Sequence, residues 1–195
     1  MRDPEGSEAF SPAQLDRVTA AADGISVRLQ TGQGLVEDPL FAGRLLRTLV
    51  WTGMHVSVLS GGWRVEEGED AEYHPPIRSD SIRDGMLYWR RPKTGRPIPM
   101  PISRQIAPWL GEFLDQPKPT SRQRYNQILE RVGRKAGTHV NPLRCRHTCG
   151  VLLYHSLGVD AATVQKLIGV TPQTMMTYVV RPISEVRREL ADKGW

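Results

Sequence analysis

The sequence predicts an α+β fold that is mainly α-helical, with a small antiparallel β-hairpin sheet on one side. Three observations lead there. Apolar residues recur at helical spacing over 38–53 and 121–136; two turn sequences, Asp84-Gly85 and Pro92-Lys93-Thr94-Gly95, bracket an alternating strand; and the stretch after residue 144 is cut into short helical pieces by Gly158, Gly169 and Pro182. With 195 residues, 39% of them apolar, the chain can bury one good core and not two large ones.

Taken in order, residues 1–10 read as a disordered N-terminus ahead of one domain over 11–195. A first helix opens at Ser11-Pro12-Ala13-Gln14, where Ser11 caps, Pro12 suits the first turn, Gln14 completes a capping box, and Leu15 and Val18 start the apolar face. A Gly-containing stretch spans 24–37. A core helix then runs from Asp38-Pro39 through Leu45, Leu46 and Leu49 to Gly53. Residues 61–74, acidic and rich in Gly, read as an exposed loop closed by Pro75-Pro76. Met86 to Arg91 and Arg96 to Pro101 form a hairpin with Lys93 at its tip. Helices follow over about 103–115, 121–136 (with Tyr125, Ile128, Leu129 and Val132 on one stripe), 145–157, 161–169, 172–178 and 183–193.

Composition excludes several classes. No apolar run is long enough to span a membrane and the N-terminus lacks a signal core, so a cytoplasmic protein is expected. Cys145 and Cys149, four apart on one helix, read as buried thiols; with only His147 between them they match no zinc spacing, and no metal or cofactor is expected. Charge is uneven: residues 118–195 hold 13 Lys/Arg against 5 Asp/Glu, whereas residues 1–117 hold 13 against 16. A basic C-terminal part of this kind suits a polyanion such as nucleic acid, the alternative being a solvated basic face.

The ordered set Thr52-Gly53-Met54, Arg90-Arg91-Pro92-Lys93-Thr94-Gly95-Arg96, Leu110 to Leu114, Pro142-Leu143-Arg144-Cys145-Arg146-His147-Thr148, Leu157-Gly158-Val159-Asp160, Val164 to Gly169 and Tyr178 resembles the catalytic domain of the tyrosine recombinases, the phage-integrase family. The resemblance covers roughly residues 10–195 and leaves out that family's N-terminal core-binding domain. It implies the family's fold and its chemistry: a tyrosine oxygen attacks a DNA phosphate, giving a 3′-phosphotyrosine and a free 5′-hydroxyl, with guanidinium groups stabilising the doubly negative transition state. By resemblance Tyr178 is the nucleophile, Arg146 the second catalytic arginine followed by His147, and Lys93 the acid for the leaving oxygen. Arg90, Arg91, Arg96 and Arg144 are expected on the DNA-binding surface. The last helix, with Ile183, Val186 and Leu190 on one stripe, is expected to pack within the domain or to join a homo-oligomer.

Departures fall on functional positions. Where the family has its first arginine this chain has His55, and where it has a glutamate three residues on, Val58. Leu143 stands for the histidine three before the second arginine, and Val170 for the histidine or tryptophan after Gly169. A histidine offers one nitrogen per contact and is charged only near or below about pH 6.5, so the expected protein binds and positions DNA but cleaves it slowly or not at all. In an alternative register Arg144 is the second arginine, with Asn141 in the histidine position; the His147-Thr148 that follows Arg146, and the spacing from Arg146 to Tyr178, favour Arg146. His139 could fold back as a replacement imidazole. A different function also fits part of the chain: Val164, Ile168, Gly169, Val170, Met175 and Tyr178 fall on the core positions of a helix-turn-helix regulator, although Gln165 stands where that motif takes a small residue.

Overall fold

Helix α1 (Pro12–Asp23) begins where its capping residues place it. The Ser11 hydroxyl accepts from the Gln14 N–H and the Gln14 side chain accepts from the Ser11 N–H, so two donors that a helix start would otherwise orphan are satisfied. The computed structural model describes residues 9–64, 72–92, 95–170 and 172–179. Of the expected N-terminal tail, residues 1–8 lie outside that set. Its boundary is corrected at Phe10, which is buried in the core and donates its N–H to Thr148 Oγ1 at 2.9 Å.

The Gly-containing stretch 24–37, for which the sequence gives no element, holds a β-hairpin. β1 (Val27–Thr31) and β2 (Gly34–Asp38) pair antiparallel, and Val27 and Leu29 point into the core. Val-Arg-Leu-Gln-Thr alternates as a half-buried strand should, but the flanking glycines masked the alternation by reading as loop. Helix α2 (Phe41–Thr52) buries Phe41, Leu45, Leu46 and Leu49 completely and ends at Gly53, whose left-handed backbone (φ 60°) caps it. A short α3 (Val56–Ser60) follows. Within the expected loop 61–74, β3 (Gly62–Arg64) and β4 (Glu72–His74) pair antiparallel, and residues 65–71 lie outside the described set.

The three-stranded antiparallel sheet β5 (Ile82–Arg83), β6 (Met86–Arg90) and β7 (Pro97–Pro101) matches the expected small sheet. Asp84 and Gly85 both have positive φ (50° and 72°), the geometry a two-residue turn needs to suit twisted strands. Of the second turn, Lys93 and Thr94 lie outside the described residues.

The helix expected over 103–115 is confined to α4 (Leu110–Asp115), with hydrogen-bonded turns before it. Pro108 is the reason, because it donates no N–H and restrains the residue before it. α5 (Arg122–Ala136) buries Tyr125, Ile128, Leu129 and Val132 as its stripe predicts, and Phe41 of α2 meets Phe113 and Tyr125 at ring-centroid distances of 5.5 and 6.4 Å. α6 (Pro142–Val151) starts three residues before the expected position because Asn141 accepts from the Arg144 N–H at 2.7 Å and Pro142 occupies the first turn; a π-helical turn (Leu152–Ser156) continues it. α7 (Ala161–Ile168), capped by Asp160 and closed by Gly169, and α8 (Pro172–Val179) finish the described chain. The helix expected over 183–193 lies outside it.

α2 packs on α1, α4, α5 and α6, while α7 packs on β7, α6 and α8, where Met100, Cys149, Val164, Ile168 and Met175 form a smaller cluster. Leu49→Ala, at a fully buried position in the larger core, is expected to lower unfolding free energy by about 2–5 kcal/mol. Leu35→Ala, at a residue 67% exposed on β2, is expected to change it by less than about 0.5 kcal/mol. Urea denaturation of both variants checks this pair of outcomes.

Candidate functional site

Two helices end where the site lies. The last carbonyls of a helix lack intrahelical donors and carry the negative end of its dipole, so a cation suits them. Arg146, on α6 and only 6% exposed, supplies one: its guanidinium donates to Gly53 O at 3.0 Å beyond α2, and to Ile168 O and Gly169 O (3.4 Å) at the end of α7. Gly53 must be glycine for more than its left-handed φ, since a Cβ there would stand 2.6 Å from Ile168 Cγ2 and 3.2 Å from Cys149 Sγ. Thr52 Oγ1 donates back to Thr48 O and accepts from the Met54 N–H, fixing the turn that delivers His55.

His55 caps α3 with an extended backbone and is exposed as a residue, yet protein crowds its ring. Desolvation first, and then the charges of Arg146, Arg91 and Arg122, hold its pKa down to about 4. At neutral pH it is therefore an uncharged hydrogen-bonding group and no surrogate for a guanidinium. His147, one residue past Arg146 and half-buried, is shifted down as well, by desolvation and then by Arg146. Leu143, three residues before Arg146 on α6, is 53% exposed and apolar. Val170, half-buried, follows Gly169 and donates its N–H to Gln165 O at 3.2 Å; Val58 is half-buried on α3.

The arginines expected on one surface divide into three kinds. Arg90 and Arg96 are exposed, with Arg90 donating to Gly95 O at 3.2 Å across the turn. Arg91 is half-buried and turned inward, its Cδ 3.6 Å from the place a Cβ on Gly169 would occupy. Arg144 corrects the expectation of a DNA-facing group: it is 4% exposed, donates to Thr138 Oγ1, His139 O and Gln14 Oε1, and stacks over the Phe10 ring at 4.4 Å. It ties α1 to the α5–α6 connection, and this structural engagement also weighs against the register that makes it catalytic. His139 hydrogen-bonds Asn141 at 3.2 Å instead of folding back.

Tyr178 falls on α8, which packs on α6 and α7. The expectations for Lys93 and for the stripe Ile183, Val186 and Leu190 lie outside the described residues. Arg122, at the start of α5, was not legible as a site residue; its approach to His55 comes from α3 packing on α5. The inward turn of Arg91 was legible, since Leu87, Trp89 and Arg91 share one face of an alternating strand.

The two cysteines are buried, and burial pushes both thiols up to about 12, which suits packing and not nucleophilic chemistry. No group of metal-ligating side chains occurs among the described residues, and none of their helices is long and apolar enough to cross a membrane. A separate groove of about 510 Å³, lined by Val58, Pro75, Pro76, Tyr88, Arg90 and Pro97 among others, contains neither His55 nor Arg146. The helix-turn-helix alternative is not favoured, because Val164, Ile168 and Met175 pack against Met100 of β7 and Cys149 of α6 as part of the larger fold.

No family profile and no curated protein sequence matches the chain. Solved structures do. The XerA recombinase crystal structure superposes with a TM-score of 0.64 at 16% identity, over 96% of this chain and 66% of that one. The catalytic domain of bacteriophage HP1 integrase gives 0.56 at 15% identity, over 88% and 86%. XerH site-specific recombinase bound to its palindromic difH substrate, a post-cleavage complex, gives 0.62 at 18% identity, over 97% and 54%. The chain thus spans about two thirds of XerA and about half of XerH, and nearly all of the isolated HP1 domain.

The depressed histidine has a consequence for stability. In the unfolded chain His55 titrates near about 6.5 and in the fold near 4, so as pH falls the unfolded state takes up the proton first; the stability present above about pH 6.5 is lost progressively toward pH 4, with His147 acting in the same direction. His55→Gln is expected to flatten that loss, measured as the urea midpoint across this pH range.

Proposed function

We propose that this chain, which has the catalytic-domain fold of tyrosine recombinases, is a DNA-binding protein of site-specific recombination, cytoplasmic, holding duplex DNA by its phosphates and slow or inactive in cleaving it. The observation that carries the reading is the guanidinium of Arg146 held between the ends of α2 and α7, with His55, His147 and Arg91 close by and Tyr178 on the adjoining α8. In the full reaction the Tyr178 hydroxyl gives up its proton to a base, its oxygen bonds to phosphorus, the bond from phosphorus to the 5′ oxygen breaks, and Lys93 protonates the leaving oxygen. Arg146 and its neighbours offset the charge that develops on the phosphate.

The deficit lies in that last task. His55 is neutral at physiological pH, and Leu143 and Val170 offer no side-chain donor. Removal of a single donor of transition-state charge typically costs about 2.7–4 kcal/mol. The residues remaining in family order are therefore enough to bind and position DNA and insufficient for fast chemistry. A homo-oligomer through the stripe Ile183, Val186 and Leu190 belongs to the same proposal, since a partner copy would add its own duplex contacts.

Duplex binding is expected to weaken steeply and log-linearly with salt, with Arg90→Ala and Arg96→Ala each reducing the slope by about one. Binding that stays constant between low and moderate salt, measured by fluorescence anisotropy, overturns the phosphate reading.

On a nicked suicide substrate, wild-type protein is expected to give little denaturant-resistant adduct, and His55→Arg with Val170→His to raise it about a hundredfold through Tyr178. A robust wild-type adduct abolished by Tyr178→Phe contradicts the slow-cleavage part of the reading, and a double variant as inert as wild type removes charge stabilisation as the missing factor.

A further inference from the structure

Arg91 occupies a position where a strand ordinarily places an apolar side chain. Along β6 and the residue after it, Leu87 and Trp89 are buried, Tyr88 and Arg90 face outward, and Arg91 falls on the inner side. Its backbone is pinned on both sides: the N–H donates to Arg96 O at 2.8 Å and the carbonyl accepts from the Gly95 N–H at 2.8 Å. The side chain runs past Gly169, where an added Cβ would meet Arg91 Cδ at 3.6 Å and Ile98 Cδ1 at 2.9 Å. Gly169 is also the residue whose carbonyl accepts from Arg146, so the two arginines approach one helix end from different elements.

The Arg91 Nε–H is buried and has no hydrogen-bond partner among the described residues. Buried donors are almost always satisfied, and one left open beside a second guanidinium suits an anion. Neither Arg91 nor Arg122 takes part in an ion pair among the described residues, where Arg28, Arg44 and Arg47 are the arginines that pair with carboxylates. The charges acting on His55 are likewise all cationic, from Arg146, Arg91 and Arg122.

We infer that Arg91 is a phosphate-binding residue of the candidate site, donating beside Gly169 to an oxygen of a phosphodiester held near Arg146, and so supplying from the β6–β7 hairpin a guanidinium that His55 does not. The inference rests on the DNA reading for its natural ligand, and on the local geometry alone for its anion. It would give the site a second guanidinium for phosphate although position 55 is a histidine. It does not supply side-chain donors at Leu143 and Val170, so phosphate binding would not by itself bring fast cleavage.

The test follows the arginine Nε–H resonances of the full chain while inorganic phosphate is added at constant ionic strength, with Arg91 assigned in the unaltered chain by through-bond correlation from its own backbone amide. A saturable shift of Arg91 is expected, with Arg28, paired to Glu37 on the β1–β2 hairpin, unmoved. Arg91→Lys, which keeps the charge but loses the fork, is expected to weaken phosphate and duplex binding about tenfold. A stationary Arg91 signal overturns the inference, whether or not the variant folds, because that measurement uses the unaltered chain. If duplex still binds in that case, the DNA reading stands without Arg91; if phosphate moves Arg91 and no duplex binds, the anion site stands and the DNA reading falls.

Discussion

The candidate site depends on one buried guanidinium placed where two helices run out of hydrogen-bond donors. Arg146 reaches 93 residues back to Gly53 O and 22 and 23 residues ahead to Ile168 O and Gly169 O. Burying such a charge is costly unless oriented dipoles meet it, and the carbonyl ends of α2 and α7 provide them. In return the charge fixes how those helices meet α6. His55 follows one clamped end, Val170 follows the other, and Arg91 lies against Gly169. His55, Val170 and Arg91 are thus near neighbours of carbonyls that Arg146 holds.

The same placement explains why His55 does not stand in for an arginine. Burial first, and then three nearby guanidinium groups, keep the His55 imidazole uncharged at neutral pH, so it offers neither the charge nor the fork of a guanidinium. The positive charges acting at this point come from Arg146 on α6, Arg91 after β6 and Arg122 on α5.

Arginines in this chain serve unlike purposes that charge counting cannot separate. Arg144 and Arg146 lie two apart on one helix and are both buried, but Arg144 links α1 to the α5–α6 connection through Gln14, Thr138 and His139, whereas Arg146 links helix ends at the site. Their directions differ because two residues along a helix rotate the side chain to another face.

Sequence alone determined what is written in local physics: the Ser11–Gln14 capping box, the α2 and α5 stripes, the Asp84-Gly85 turn, and the ordered residues that resemble a recombinase domain. Each depends on neighbours within a few positions, so its spacing is a direct record of its geometry. The β1–β2 hairpin is hidden in the sequence because glycines flank a short alternation, and the helix over 103–115 is shorter than its apolar spacing suggests because Pro108 interrupts it. Only the tertiary structure decided that Arg144 is internal, that Arg122 and Arg91 reach the neighbourhood of His55, and that the imidazole there is neutral. Those outcomes follow from which helix ends and strand faces meet, contacts tens of residues apart along the chain, and a pKa or a buried donor is a property of that meeting rather than of any segment by itself.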